Sequence, residues 1–313
     1  MSACFLGIDT SNYTTSIAVV EDGKLLFQRK APLPVKAGEC GLRQSDALFA
    51  HTKNLPALFE EIRPLIADKQ IAAVGVSEKP RNAEGSYMPC FLAGVSAVVG
   101  ISVALGVPLY RFSHQCGHLR AALYSAGRSD LVKERFGAFH VSGGTTEMLS
   151  VSPAEHGFLT EIVGGTLDLN AGQLIDRIGV ALGLAFPAGP ALEALATRYT
   201  GKIPHKPVKT REGYIHLSGV ENQARDMLAA GGEPEMVAAF VLDHLARLLV
   251  AMSLDFRKKE DAPLVYAGGV MSNKYIRAYV ERNIPHAYFA EPAFSADNAV
   301  GIALLTAEAF GKA

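Results

Sequence analysis

Two stretches of this chain repeat one local design. Gly7-Ile8-Asp9-Thr10-Ser11 leads into Thr14-Thr15-Ser16-Ile17-Ala18. Much later, Val141-Ser142-Gly143-Gly144 leads into Thr145-Thr146-Glu147-Met148-Leu149. Each is an apolar run, a small polar turn and a second run suited to a strand. The surroundings repeat as well. Residues 4–9, 14–20 and 24–29 read as a meander whose second turn is an Asp-Gly hairpin at Asp22-Gly23. Residues 136–141, 145–151 and 157–163 read as another. Helical spacing follows the first meander at 42–67, interrupted by Pro56, and at 91–105 and 115–124, with strands at 71–76 and 107–112. It follows the second at 167–182, 190–199, 236–256 and 273–281, with strands at 264–267 and 287–290 and a terminal helix at 296–310. A chain of 313 residues can bury two cores. The expectation is an α/β chain made of a duplicated lobe, with a cleft between the copies. The first lobe would span 1–112, joined by the terminal helix 296–313. The second would span 113–295, with 201–232 as a surface insertion because no periodic element fits there.

Three turns recur at equivalent strand ends: Asp9-Thr10-Ser11, Ser142-Gly143-Gly144 and Ala267-Gly268-Gly269-Val270. Without Cβ atoms, Gly-Gly turns let backbone N–H groups approach a phosphate, and the third opens a helix. Asn273 stands where it would meet a sugar hydroxyl or cap that helix. Singly these are turns. In a duplicated lobe they resemble the phosphate-1, phosphate-2 and adenosine motifs of the actin, sugar kinase and Hsp70 superfamily. That resemblance implies a two-lobed actin-like fold with ribonuclease H-like lobes.

Charge excludes a nucleic-acid binder driven by overall basicity. Thirty basic residues stand against 31 acidic ones, so any RNA contact needs a local patch. The densest basic cluster is Lys202, His205, Lys206, Lys209 and Arg211. Residues 1–10 carry no export signal, and the apolar run 90–109, broken by three glycines and Pro108, reads as a buried helix rather than a membrane span. Cys4, Cys40, Cys90 and Cys116 lack metal-knuckle spacing and are expected as reduced thiols in a cytoplasmic protein.

His114-Gln115-Cys116-Gly117-His118 places two imidazoles at i and i+4, on one face of a helix, where both can bind one metal. Asp297-Asn298 opens the last helix and offers a carboxylate. Two histidines and one carboxylate with open positions suit Fe(II) or Zn(II), and the ligand set alone does not choose.

These segments in order resemble one branch of the superfamily. They are His114-x-x-Gly117-His118, Val141-Ser142-Gly143-Gly144, Leu174-Ile175-Asp176-Arg177 with the 182–190 stretch through Pro187-Ala188-Gly189-Pro190, Leu217-Ser218-Gly219, Gly268-Gly269-Val270-x-x-Asn273 and Ala296-Asp297-Asn298-Ala299. Together they are similar to the family of bacterial tRNA threonylcarbamoyl-adenosine transferases, once described as O-sialoglycoprotein endopeptidases. The resemblance covers nearly the whole chain. It implies His114, His118 and Asp297 as metal ligands, with iron expected ahead of zinc. It implies His140, Val141, Ser142, Gly143, Gly144, Asp176, Gly189 and Asn273 as the residues that hold an adenine nucleotide, whether threonylcarbamoyl-AMP, AMP or ATP. The implied reaction transfers a threonylcarbamoyl group from its adenylate to N6 of the adenosine beside the tRNA anticodon. The implied partners are tRNA, an adenylate-forming enzyme, a non-catalytic paralogue that dimerises with this chain and a small ATPase, with no membrane.

Several positions depart from the family pattern. Tyr13 and Thr14 stand where the family has an acidic pair, Cys116 where it has Glu, Thr145 where it has His, and Lys79-Pro80-Arg81-Asn82 replaces a Gly-Pro-Gly loop. Such departures admit a paralogue that acts on another acceptor. A non-catalytic dimerisation subunit is the other alternative, against which the retained histidines and Asp297 count. A glycoprotease ranks lowest, because no HExxH occurs.

Overall fold

The computed structural model describes residues 3–11, 13–34 and 42–312, so Cys40 lies outside the described residues. The chain divides into two units. The first is Met1–Lys133, Pro153–Leu159 and Ala293–Ala313, and the second is Glu134–Ser152 and Thr160–Pro292.

In the first unit, β1 (Ala3–Ser11), β2 (Thr14–Glu21) and β3 (Lys24–Pro32) form the expected meander. α1 (Gln44–Ile66), β4 (Gln70–Lys79), α2 (Leu92–Leu105), β5 (Leu109–Ser113) and α3 (His114–Ser125) follow. The sheet order is β3-β2-β1-β4-β5, with β4 and β5 parallel to β1. Strands of such a sheet are covered on both faces, which is why Cys4 to Asp9 is a nearly unbroken apolar run. Alternation then sorts the side chains. Cys4, Leu6 and Ile8 pack with Leu55, Leu58 and Ile62 of α1 and with Ala93 and Val98 of α2. Phe5 packs on the opposite side with Ala299, Val300, Ala303 and Leu304.

In the second unit β6 (Phe136–Val141), β7 (Thr146–Pro153) and β8 (Phe158–Thr166) form the second meander. α4 (Ala171–Ala181), α5 (Gly189–Ala196), β9 (Tyr214–Ile215), α6 (Ser218–Ala229), α7 (Pro234–Lys259), β10 (Leu264–Ala267), α8 (Lys274–Asn283) and β11 (Ala287–Phe289) complete it. Its sheet runs β11-β10-β6-β7-β8-β9. Apart from β9 added at one edge, the strands repeat the first sheet's third-second-first-fourth-fifth order, so the duplication is topological as well as local. α7 is long and apolar enough to cross a membrane by length and composition, and 78% of its most apolar 18-residue stretch is buried inside the protein. Its Val241, Leu245, Leu248 and Met252 belong to the second unit's core. The chain then returns to the first unit through α9 (Pro292–Ser295) and α10 (Val300–Phe310).

The structure corrects several expectations. The first unit extends to Lys133 rather than stopping at residue 112, because α3 packs directly on α10. An ideal Cβ on Gly301 would lie 1.8 Å from the Gly117 carbonyl oxygen, a crossing that leaves no room for a side chain at residue 301. The 201–232 segment is irregular only in its first half. β9 and α6 follow, and α6 buries Val220 and Ala224. Pro56 lies inside α1 without ending it. β1 continues through Ser11. Asp297 and Asn298 precede the last helix, which begins at Val300. α2 is not a buried helix. One side packs on the sheet, while Val103 is 80% exposed and Leu92 and Val99 are also open. The thiols of Cys4, Cys90 and Cys116 are free and buried.

Candidate metal centre and nucleotide cradle

α3 starts at His114 because Ser113 caps it, its hydroxyl accepting from the Cys116 N–H at 3.2 Å. The helical repeat then places His118 beside His114, edge to face, with ring centroids 4.2 Å apart. Asp297 reaches them from the lead-in to α10. Asn298 fixes that lead-in: its side-chain amide donates to the Ala296 and Phe294 carbonyls at 2.8 and 3.1 Å, and its Oδ1 accepts from the Val300 N–H at 3.1 Å. Asp297 Oδ1 lies 3.4 Å from His114 Nε2 and 3.2 Å from His118 Nε2.

One ligand atom from each of the three side chains lies within 4.8 Å of the others. Ligands about 2.0–2.2 Å from a first-row divalent ion sit roughly 3.0–3.4 Å apart. The two imidazole–carboxylate separations match that spacing, so the donors fit a divalent cation in type and position. Each side chain keeps some exposure, which leaves room for further ligands.

His114 is also held from behind. Its Nδ1 lies 3.0 Å from Oδ1 of Asp9, which is fully buried in β1. Ser11 donates to Asp9 Oδ2 at 2.7 Å, and Ser77 donates to Oδ1. Burial works against a charged His114, but the Asp9 carboxylate and the Asp297 hydrogen bond outweigh it and push its pKa up to about 10. Burial likewise works against ionised Asp297, and the hydrogen bonds from His114 and His118 win, holding it far below the usual carboxylate range. For Asp9 the imidazole of His114 again outweighs burial and lowers the pKa. Lys30 pairs with Ser16 across the β2–β3 ladder, and Ser16 pairs with Asp9. Its ammonium donates to the Ala293 carbonyl at 3.1 Å. Burial lowers its pKa, against the pull of Asp297 and Asp9.

Sequence reading did not single out Lys30, and it took Asp9 for part of a phosphate-type turn. The available signal was an acid closing an apolar strand run, where a charge needs partners. Thr10 is equally committed: its hydroxyl accepts from the Gly94 N–H at 3.1 Å and lies 3.2 Å from the Cys90 carbonyl.

The residues expected to hold a nucleotide all lie in the second unit. Ser142 to Thr145 closes the β6–β7 hairpin, with Ser142 N–H donating to the Thr145 carbonyl at 2.7 Å. His140 and Val141 end β6. Gly143 and Gly144 face open space, since a Cβ on either would meet nothing within 4 Å. The hairpin rests on the start of α4, where a Cβ on Gly172 would come within 2.6 Å of Gly143 Cα. The second Gly-Gly turn meets the same place. Gly268 has φ +103°, and a Cβ there would strike the Val141 carbonyl oxygen at 2.2 Å. Asn273 caps α8, its side chain accepting from the Ile276 N–H at 3.0 Å. Asp176 sits one turn further along α4 and accepts from the Ala188 N–H at 2.8 Å, which ties it to Gly189 at the head of α5. Beside it a surface hollow of about 330 Å³ is lined by Gln173, Asp176, Arg177, Val180, Phe186 and Arg225. The structure thus gathers the two Gly-Gly turns and Val141 at the ends of β6 and β10. Asp176 and Gly189 adjoin them through α4 and α5.

Residues 41–304 match the family model for TsaD, tRNA N6-adenosine threonylcarbamoyltransferase. The chain belongs to this family. It is a transferase of the TsaD kind. A relative of that name from Mycoplasmopsis synoviae is 27% identical over 307 residues, covering 96% of this chain and 96% of the relative. TsaD relatives from Bacillus subtilis and Thermus thermophilus are each 29% identical and cover 88% and 96% of this chain, and 80% and 90% of their own lengths. Among solved structures, full-length HypF in a phosphate- and nucleotide-bound form is similar over 99% of this chain, with TM-score 0.61 and 13% identity. The match spans 55% of HypF. The activator of 2-hydroxyisocaproyl-CoA dehydratase from Clostridium difficile is similar over 100% of this chain and 97% of its own, with TM-score 0.54 and 14% identity. These likenesses bear on fold. The chain has a two-lobed actin-like α/β fold in which one αβ lobe is built twice.

Proposed function

We propose that this TsaD-family chain transfers the threonylcarbamoyl group of threonylcarbamoyl-adenylate to N6 of the adenosine beside the anticodon in tRNA. The observation that carries this reading is the convergence of His114, His118 and Asp297 at metal-ligand spacing. In it, these three side chains hold one divalent ion, iron ahead of zinc. When bound, that ion supplies Lewis acidity to the carbamate carbonyl. The second unit holds the nucleotide part: the backbone of Ser142 to Gly144 takes the phosphate, and Asp176, Gly189 and Asn273 take the nucleoside. His140 and Val141 set that hairpin at the end of β6. The adenosine amine attacks the carbamoyl carbon, the bond from that carbon to the phosphate oxygen breaks, AMP departs and the amine releases its proton. No side-chain nucleophile is required.

Partners follow from the same reading: tRNA, an adenylate-forming enzyme, a small ATPase and a non-catalytic paralogue, in a cytoplasmic setting. Support for a protein partner comes from α1 and α2. Phe49 and Val103 are 70% and 80% exposed there, beside a hollow of about 570 Å³ that includes Leu48, Leu55, Phe59 and Leu92. Exposed apolar patches of this kind mark interaction surfaces.

A second reading keeps the chemistry and changes the acceptor. Where the family places Glu beside the metal histidines, Cys116 is buried with its sulfur 3.3 Å from Asn82 Nδ2. Reconstitution with tRNA, threonylcarbamoyl-adenylate and the partners separates the two. Nucleoside mass spectrometry should show threonylcarbamoyl-adenosine in the tRNA. Unmodified tRNA alongside active partners rejects tRNA as the acceptor.

A further inference from the structure

Asp9 is the only charged residue in β1, and it is wholly buried. A buried carboxylate needs donors around it, and three are in place: the Ser11 hydroxyl, the Ser77 hydroxyl and His114 Nδ1. Strand register makes this arrangement rigid. Asp9 is paired with Ser16 of β2, and the parallel pairing of Ile8 with Val76 brings Ser77 alongside from β4. The carboxylate is therefore fixed on both sides by the sheet, and only its imidazole partner belongs to α3.

We infer that Asp9 is the positioning residue of the metal centre, holding His114 so that Nε2 faces the ion. This rests on the metal reading of His114, His118 and Asp297. With Nδ1–H donated to Asp9, Nε2 is the nitrogen that yields its proton to an incoming ion, and the carboxylate sets the ring's rotation. His114 Nε2 is indeed the nitrogen that faces Asp297, at 3.4 Å. The position where the sequence resembled a phosphate-binding turn is then committed to metal geometry. Phosphate binding would require an approachable backbone there, and Asp9, Thr10 and Ser11 are all buried.

Asp9→Asn tests this, because it keeps the side chain's shape and removes its charge. The probe is Zn(II) alone, added to metal-free full-length protein and measured by competition with a chromophoric chelator. Co(II) loading supplies a visible ligand-field spectrum. Zn(II) affinity should fall about 10- to 100-fold, and the Co(II) bands should shift, in a variant whose circular dichroism and unfolding midpoint show a folded chain. A folded Asp9→Asn protein with wild-type affinity and an unchanged Co(II) spectrum overturns the positioning role. A purely structural Asp9 would lower the midpoint and leave both metal readouts of the folded protein alone.

The wild-type protein supplies a second measurement, independent of how the variant folds. Nitrogen-15 spectra of the zinc-loaded chain should show His114 protonated at Nδ1 and metallated at Nε2, and the reverse assignment overturns the inference. Wild-type protein that binds no Zn(II) overturns the metal reading itself. Wild-type binding with an indifferent Asp9→Asn overturns only the role of Asp9.

Discussion

Gly301→Ala should damage the metal centre without touching a ligand. α3 carries both histidines, and α10 continues from the segment that carries Asp297. The two helices meet where an ideal Cβ on Gly301 would lie 1.8 Å from the Gly117 carbonyl oxygen and 2.9 Å from the Ala121 nitrogen. Those are backbone atoms, so no side chain can rotate away. Restoring ordinary van der Waals separation requires the helices to part by roughly 1.5 Å. Metal sites hold their ligand distances within about 0.2 Å, so Asp297 would be carried out of register with His114 and His118. Zn(II) affinity should drop more than about tenfold. Overpacking of this kind also costs about 1–3 kcal/mol of stability. Gly100→Ala is the matched control, since Gly100 lies in α2 with nothing within 4 Å of its would-be Cβ. That change should be neutral or stabilising by up to about 1 kcal/mol, because alanine is the better helix former. Urea unfolding and zinc competition on both variants give the answer. A Gly301→Ala protein as stable as wild type and as tight for zinc would refute the idea that this crossing sets the site.

His118→Ala should lose the metal, as elemental analysis of purified protein would show. Gly144→Val should weaken binding of an adenylate while the fold survives, since a side chain there meets open space. Calorimetry showing unchanged affinity in a folded variant rejects the hairpin as a phosphate cradle. Lys202, Lys206, Lys209 and Arg211 are all exposed. If tRNA is the acceptor, changing the four to Glu should weaken its binding and flatten the salt dependence in filter-binding assays, with adenylate binding intact. His244 is buried in α7, and burial, then the charge of Arg247, lowers its pKa from 6.5 to about 4. Protonation therefore favours the unfolded chain. The stability that neutral His244 contributes is complete above pH about 6.5 and is lost as pH falls to about 4, by roughly 3 kcal/mol at most. Denaturation curves at pH 7.5 and 4.5 should show a smaller loss in His244→Leu than in wild type.

What the sequence determined is local. Both meanders, the Gly-Gly turns, the cap at Asn273 and the pairing of His114 with His118 depend on residues within a few positions of each other. Strand alternation, turn chemistry and the helical repeat express such neighbourhoods directly. The family motifs added Asp297 to the two histidines, although spacing alone could not have linked it to them. Tertiary structure decided the rest. Asp9 and His114 are distant in sequence, and sheet register together with the placement of α3 made them partners. The Gly117–Gly301 crossing holds α3 in the first unit, where the expected boundary at residue 112 had given it to the second. α2 looks uniformly apolar in sequence, so its composition could not tell the side that packs on the sheet from the side that stays open. In each case the deciding quantity is a close approach between distant segments, and such an approach exists only once the first unit's sheet has formed and its helices have packed on it.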